Sequence, residues 1–235
     1  MRSGYDEPME GSSSAAFEAL NWEIDVCHLC QLSGTRTLAV PGDGSHSAEL
    51  MFIGEGPGFH EDRQGRPFVG AAGSFLTELL TLIGLSREQV FITNVVKCRP
   101  PGNRDPLPLE LAACRPYLDR QIEMIDPRVI VTLGRHSLGT FFPGEVISRI
   151  HGTIRTNGGR HFFPMYHPAA ALHQPKYRET IMDDMRKLGL WLHERERLEK
   201  HTAEAQLTLL DTMRAPAAVE RDQAATQLSL FDQST

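Results

Sequence analysis

The chain has few cysteines, no long apolar run and no surplus of positive charge, and each shortage closes off a class of protein. Four cysteines in 235 residues are too few for a disulfide framework, so paired thiols are better used on a metal or a cluster. No stretch approaches the roughly 20 apolar residues of a membrane span. The opening segment, MRSGYDEPMEGSSSAAF, is polar and acidic where a secretion signal needs an apolar stretch, so a cytoplasmic protein without a membrane partner is expected. The net charge of −6 argues against a phosphate-coated partner, but the acid is gathered at the ends. Residues 1–26 carry one Lys or Arg against six Asp and Glu, residues 200–235 three against five, and residues 27–199 twenty against nineteen. Phosphate binding must then rest on local groups, for which Arg63, Arg66, Lys97, Arg99, Arg104 and Arg115 are the candidates.

What is present suffices for a full core, at 40% hydrophobic and 23% charged residues. Residues 1–14 read as a disordered tail, 15–199 as one domain and 200–235 as a flexible tail. Phe17, Leu20 and Ile24 recur at helical spacing and lead into Cys27 and Cys30. Apolar runs at 49–53, 90–93, 129–133 and 162–166 read as strands. Helical stripes separate them, at Phe75 to Ile83 and from Pro108 to Ile125, and another, Ile181 to Leu192, closes the domain. Strands alternating with helices predict a three-layer α/β/α domain with a central, mostly parallel four-stranded sheet. Ligands of such sheets bind outside the carboxyl ends of the strands, where Glu55, Asn94 and His167 stand.

Cys27 and Cys30 form a C-x-x-C, while Cys98 and Cys114 are far downstream and widely spaced. Four thiolates fit tetrahedral zinc or an iron–sulfur cluster; the wide second pair departs from the twin knuckles of a zinc ribbon and favours a cluster. Buried filler cysteines beside a redox pair are the bland alternative. The loop Gly54-Glu-Gly-Pro-Gly58 matches neither common nucleotide-binding glycine pattern. Phe68 is either core or a stacking platform.

Taken together, GEGPGFHEDRQGRPFVGAAG (54–73), TNVVKCRPPGNRDP (93–106), VIVTLG (129–134) and HPAAAL (167–172), with the four cysteines, resemble the iron–sulfur uracil-DNA glycosylases of family 4. The resemblance spans about Cys27 to Leu192. It implies a [4Fe–4S] cluster on Cys27, Cys30, Cys98 and Cys114, and a pocket that takes a nucleotide flipped out of DNA. Uracil would be bound by Phe68, Asn94, His167 and the backbone of Gly56. Phe68 would stack on the ring. The Asn94 carboxamide would accept from N3–H and donate to O4, a pair that cytosine presents reversed. His167 would stabilise negative charge on O2, and Glu55 would stabilise the sugar cation or orient water. Uracil glycosylases of family 1 have Asp where this chain has Gly56 and Tyr where it has Gly58, which makes Asp62 and His60 secondary candidates for water activation.

Lys97, Arg99 and Arg104 would meet phosphates, and Leu172 would enter the minor groove as an apolar wedge. A related branch traps DNA covalently through a His in the loop after the TN motif; residues 100–106 hold none, so turnover is expected. The reading is a monofunctional bacterial enzyme, associated with the nucleoid and acting as a monomer on single- and double-stranded DNA. It leaves an abasic site, without strand cleavage or divalent metal. Gln227, Leu228, Leu230 and Phe231 resemble the peptide that binds the bacterial sliding clamp. A non-catalytic DNA- or clamp-binding adaptor, and a zinc-stabilised DNA-binding module, are the alternatives.

Overall fold

The protein's structure, a computed structural model, describes residues 10–214. The elements run α1 (Glu10–Asp25), β1 (Asp43–Gly44), β2 (Leu50–Gly54), α2 (Phe59–Gln64), α3 (Ala71–Leu82), β3 (Phe91–Asn94), α4 (Pro108–Ile125) and β4 (Val129–Leu133). They continue with α5 (Arg135–Phe141), α6 (Ile147–Ile150), β5 (Arg155–Asn157), β6 (Arg160–Met165), α7 (Ala169–His173) and α8 (Lys176–Arg214). Residues Met1–Gly189 and Leu190–Thr235 form two units.

One sheet is laid out in the order β1-β3-β2-β4-β6-β5. Its four inner strands are parallel and match the four expected from the sequence; two short antiparallel strands, β1 and β5, are added at the edges. These two escaped the sequence reading because strands of two and three residues have no apolar period to detect. Strands β2, β3 and β4 are buried along their whole length, as expected for a parallel sheet covered on both faces. Met51, Ile53, Phe91, Ile130 and Phe162 pack with Phe17 of α1 and with Leu118, Ile122 and Ile125 of α4. By strand alternation Phe52 and Val131 point to the other face. Helices α3 and α8 are linked by the pair of Arg178 with Glu78 at 2.5 Å.

Helix α8 runs further than its apolar stripe, to Arg214. Beyond Gly189 it holds mainly Leu, Glu and Arg, all good helix formers. The clamp-like peptide at 227–231 lies outside the described residues. No helix among them is long and apolar enough to cross a membrane.

Candidate functional site

Parallel pairing of β2 with β3 sets Gly54 opposite Asn94, and the ladder continues past the strands as Val95 N–H donates to the Gly54 carbonyl (3.0 Å) and Val96 N–H to that of Glu55 (3.1 Å). Pairing of β4 with β6 sets Leu133 opposite Met165, and Gly134 N–H donates to the Met165 carbonyl at 2.8 Å. The carboxyl ends of three strands therefore deliver Glu55, Asn94 and His167 to one cavity of about 660 Å³, which Gly56 and Phe68 also line.

Phe68 stacks on His167, with ring centroids 5.5 Å apart and planes 26° apart. Gly54 is required beneath it, since a Cβ there would stand 2.4 Å from Asn94 Oδ1 and 2.7 Å from Phe68 Cζ. Phe68 itself has φ +53°, a left-handed conformation costly for an aromatic residue. Neighbours hold it there. Glu61 Oε1 accepts the N–H groups of Val69 (2.9 Å) and Gly70 (3.0 Å), and Arg87 donates to the carbonyls of Pro67 (2.8 Å) and Phe68 (3.1 Å). Gly73 abuts the same carbonyl so closely that a Cβ would lie 1.8 Å from its oxygen.

Asn94 is only 2% exposed, yet among the described residues its carboxamide has no hydrogen-bond partner. A buried amide is expected to be satisfied, so this one faces the cavity ready for a ligand. His167 Nδ1 accepts the Ala169 N–H at 3.1 Å. Burial pushes its pKa down to about 4, so the ring is neutral and its hydrogen sits on Nε2, as a donor.

Glu55 belongs to a network absent from the sequence reading. His136 Nε2 lies 3.8 Å from Glu55 and 3.2 Å from Asp105, and Arg135 pairs with Asp105 at 2.5 Å. Burial raises the Glu55 pKa; His136 opposes that and Asp105 adds to it. Nothing in the sequence marks Asp105 and His136 as neighbours of Glu55, because each follows a different strand.

The basic residues divide. Lys97 was expected at a phosphate and is instead 1% exposed. Its ammonium donates to Thr93 Oγ1 (2.6 Å), Gln121 Oε1 (2.6 Å) and the Asn94 carbonyl (2.8 Å), and burial pushes its pKa down to about 7. Lys97 therefore supports Asn94 from behind and cannot reach DNA. Arg104 lines the cavity but is held by Glu110 at 2.6 Å. Arg66 pairs with Asp43 and Arg115 with Asp119, while Arg63 and Arg99 both stand over Phe59. Leu172 is 49% exposed on α7, whose Ala169 and His173 rim the cavity. Asp62 is buried and accepts from Thr37 N–H (2.9 Å) and Oγ1 (2.7 Å); it anchors the 37 segment and is no water activator. His60 is exposed.

Cys30, Cys98 and Cys114 pack with Leu32 and Val96. Three of the four sulfurs receive N–H donors: Cys98 from Arg36 (3.0 Å), Cys114 from Lys97 N (3.5 Å) and Cys27 from Leu29 N (3.5 Å). Burial raises the Cys98 thiol and pushes Cys114 up to about 11, so a cationic centre is needed to hold them as thiolates. Among the described residues, the one trio of His, Cys, Asp or Glu donor atoms within 4.8 Å of one another is Glu55, Asp105 and His136.

A family profile described as the uracil DNA glycosylase superfamily matches residues 41–186. The chain is 50% identical over 186 residues to a type-4 uracil-DNA glycosylase of Sulfurisphaera tokodaii, across 74% of this chain and 83% of the relative. It is 51% identical over 176 residues to that of Saccharolobus solfataricus, across 71% and 82%. For the Thermotoga maritima enzyme the identity is 44% over 175 residues, across 72% and 91%.

Proposed function

The chain belongs to the uracil DNA glycosylase superfamily, among its type-4 members, and we propose on that basis that it hydrolyses the N-glycosidic bond of deoxyuridine in DNA, releasing uracil and leaving an abasic site. The observation that carries this reading is the unpartnered Asn94 carboxamide in the same cavity as the Phe68 ring and the neutral His167. A flipped uracil stacks on Phe68, gives N3–H to Asn94 Oδ1 and takes the Asn94 amide N–H on O4. As the bond from C1′ to N1 breaks, the electron pair passes to the base and its charge spreads to O2. There the Nε2–H of His167 and the N–H of Gly56 donate. Glu55 faces the sugar. Its carboxylate stabilises the cation-like carbon and takes the proton of the water whose oxygen bonds to C1′.

The four cysteines fit a [4Fe–4S] cluster, which takes four thiolates and which Cys27, Cys30, Cys98 and Cys114 would hold, with backbone or Arg36 donors facing the sulfurs of Cys27, Cys98 and Cys114. The cluster would supply structure, tying the C-x-x-C segment after α1 to α4 and to the chain beyond β3. Arg99 and Arg104 meet phosphates, and Leu172 fills the gap left by the flipped base. The tail peptide from Gln227 to Phe231 tethers the enzyme to a sliding clamp.

Purified protein incubated with uracil-containing single- and double-stranded DNA, followed by alkaline cleavage, tests the reading. Asn94→Asp and His167→Ala should lose base release on the order of 100-fold or more while keeping the fold. Full activity in both removes the pocket assignment, and uracil-DNA binding without base release by the wild type identifies the adaptor instead.

A further inference from the structure

An exposed aromatic ring stands just outside the cavity. Phe59 opens α2 and is 45% exposed, although its neighbours Pro57, Gly58 and Glu61 line the cavity. The guanidinium of Arg63, one turn further along α2, stands over the ring at 5.3 Å, and that of Arg99 at 5.1 Å. Arg99 comes from a different segment, whose Pro100, Asn103 and Arg104 line the same cavity. Two stretches of the pocket wall thus join outside it through one phenyl ring.

The charge at this point is uncompensated. The arginines that line the cavity, Arg104 and Arg135, are each paired with a carboxylate. Arg63 and Arg99 have no carboxylate partner among the described residues; Arg99 Nε donates to the neutral Asn103 at 2.7 Å. Two cations gathered on a ring whose quadrupole only partly balances them favour an anion. An aromatic face with guanidinium planes also favours the π-face of a base. Phosphate and base occur together in a nucleic-acid strand.

We infer that Phe59, with Arg63 and Arg99, grips an unpaired base and its phosphate beside the nucleotide extruded into the cavity, so that the protein holds single-stranded uracil-DNA more tightly than duplex. The inference rests on the glycosylase reading and extends it to strand preference. A neighbouring base in single-stranded DNA is free to swing onto the ring. In a duplex the same base is paired and stacked, and reaching Phe59 costs the unstacking of a second step.

The test uses the full chain and a short labelled oligonucleotide carrying one 2′-fluorodeoxyuridine, which resists glycosidic cleavage, as a single strand and as a duplex. Phe59→Ala is expected to weaken single-strand binding about fivefold or more and duplex binding less than about twofold. Phe59→Trp should restore the single-strand affinity. Its emission, over that of Trp22 and Trp191 in the wild type, should be quenched as the strand binds, a signal that a merely structural ring does not give. Equal losses on both substrates, or no loss on the single strand, overturn the inference. A wild type that releases no uracil from any DNA sinks the glycosylase reading by itself, whatever Phe59 does to the uncleaved probe.

Discussion

Burial drives Glu55 and His167 of the cavity in opposite directions, each toward its neutral form. In the proposed mechanism that is the working state of His167, because a neutral ring with hydrogen on Nε2 can donate to O2 without a proton having to be lost again. For Glu55 it is a liability, which His136 reduces by favouring the carboxylate. The rate of base release should therefore fall on the acid side at a pH above the ordinary glutamate value of about 4.3. His136→Gln removes the opposing influence and should move that limb to higher pH; a profile of kcat/KM that stays in place, or moves the other way, refutes the role given to His136. Stability carries a second signature. The unfolded His167 takes its proton near 6.5 and the folded one only near 4, so this residue makes the protein lose stability as pH falls from about 6.5 to about 4. In His167→Gln that part of the slope should be missing from denaturant midpoints measured across the window.

At the scale of elements, the site depends on backbone that few sequence signals describe. The turn before α3 puts Phe68 at positive φ, and Gly73 in the first turns of α3 leaves room for it. Gly73→Ala is expected to cost about 1–3 kcal/mol, the usual range for overpacking, and to weaken uracil binding as Phe68 shifts. Thermal unfolding and product inhibition by free uracil measure the two effects, and an unchanged inhibition constant would show that the turn does not position the ring. The short helix α7, whose Ala169 and His173 line the cavity, carries the exposed Leu172. Leu172→Ala should slow base release from paired uracil more than from single strands, since only a duplex closes behind the flipped nucleotide. The parallel strands themselves were plain in the sequence, as apolar runs between helical stripes. The edge strands and the reach of α8 were not, because neither is specified by a buried period.

For the whole molecule, the four cysteines join segments that are distant in sequence. The span from Cys27 to Cys114 encloses three strands of the sheet and two helices between them, so the proposed cluster would close a long loop of the unfolded chain. Cys98→Ser should abolish the broad visible absorption of a cluster and lower the unfolding temperature, whereas a colourless wild type containing zinc would refute the cluster. The tail is tested at the same scale. Phe231→Ala should abolish retention on an immobilised sliding clamp while the isolated enzyme releases uracil at an unaltered rate, and retention indifferent to the change removes the tether.

The residue types at the ends of the strands, the four thiols and the parallel order of the sheet were all written in the sequence, because apolar periods and glycine loops are local and strand ends are where such sheets bind ligands. Legible there too were Glu55, Asn94, His167 and Phe68, through long motifs in order. Only the tertiary structure decided which charges reach the surface. Lys97 reads as a phosphate contact and is the buried support of Asn94; Asp62 reads as a possible base and is a loop anchor. Asp105 and His136 come to Glu55, and Arg99 to Phe59, from separate segments of the chain. Burial and long-range proximity depend on how elements pack, and packing is a property of the folded whole that no window of sequence contains.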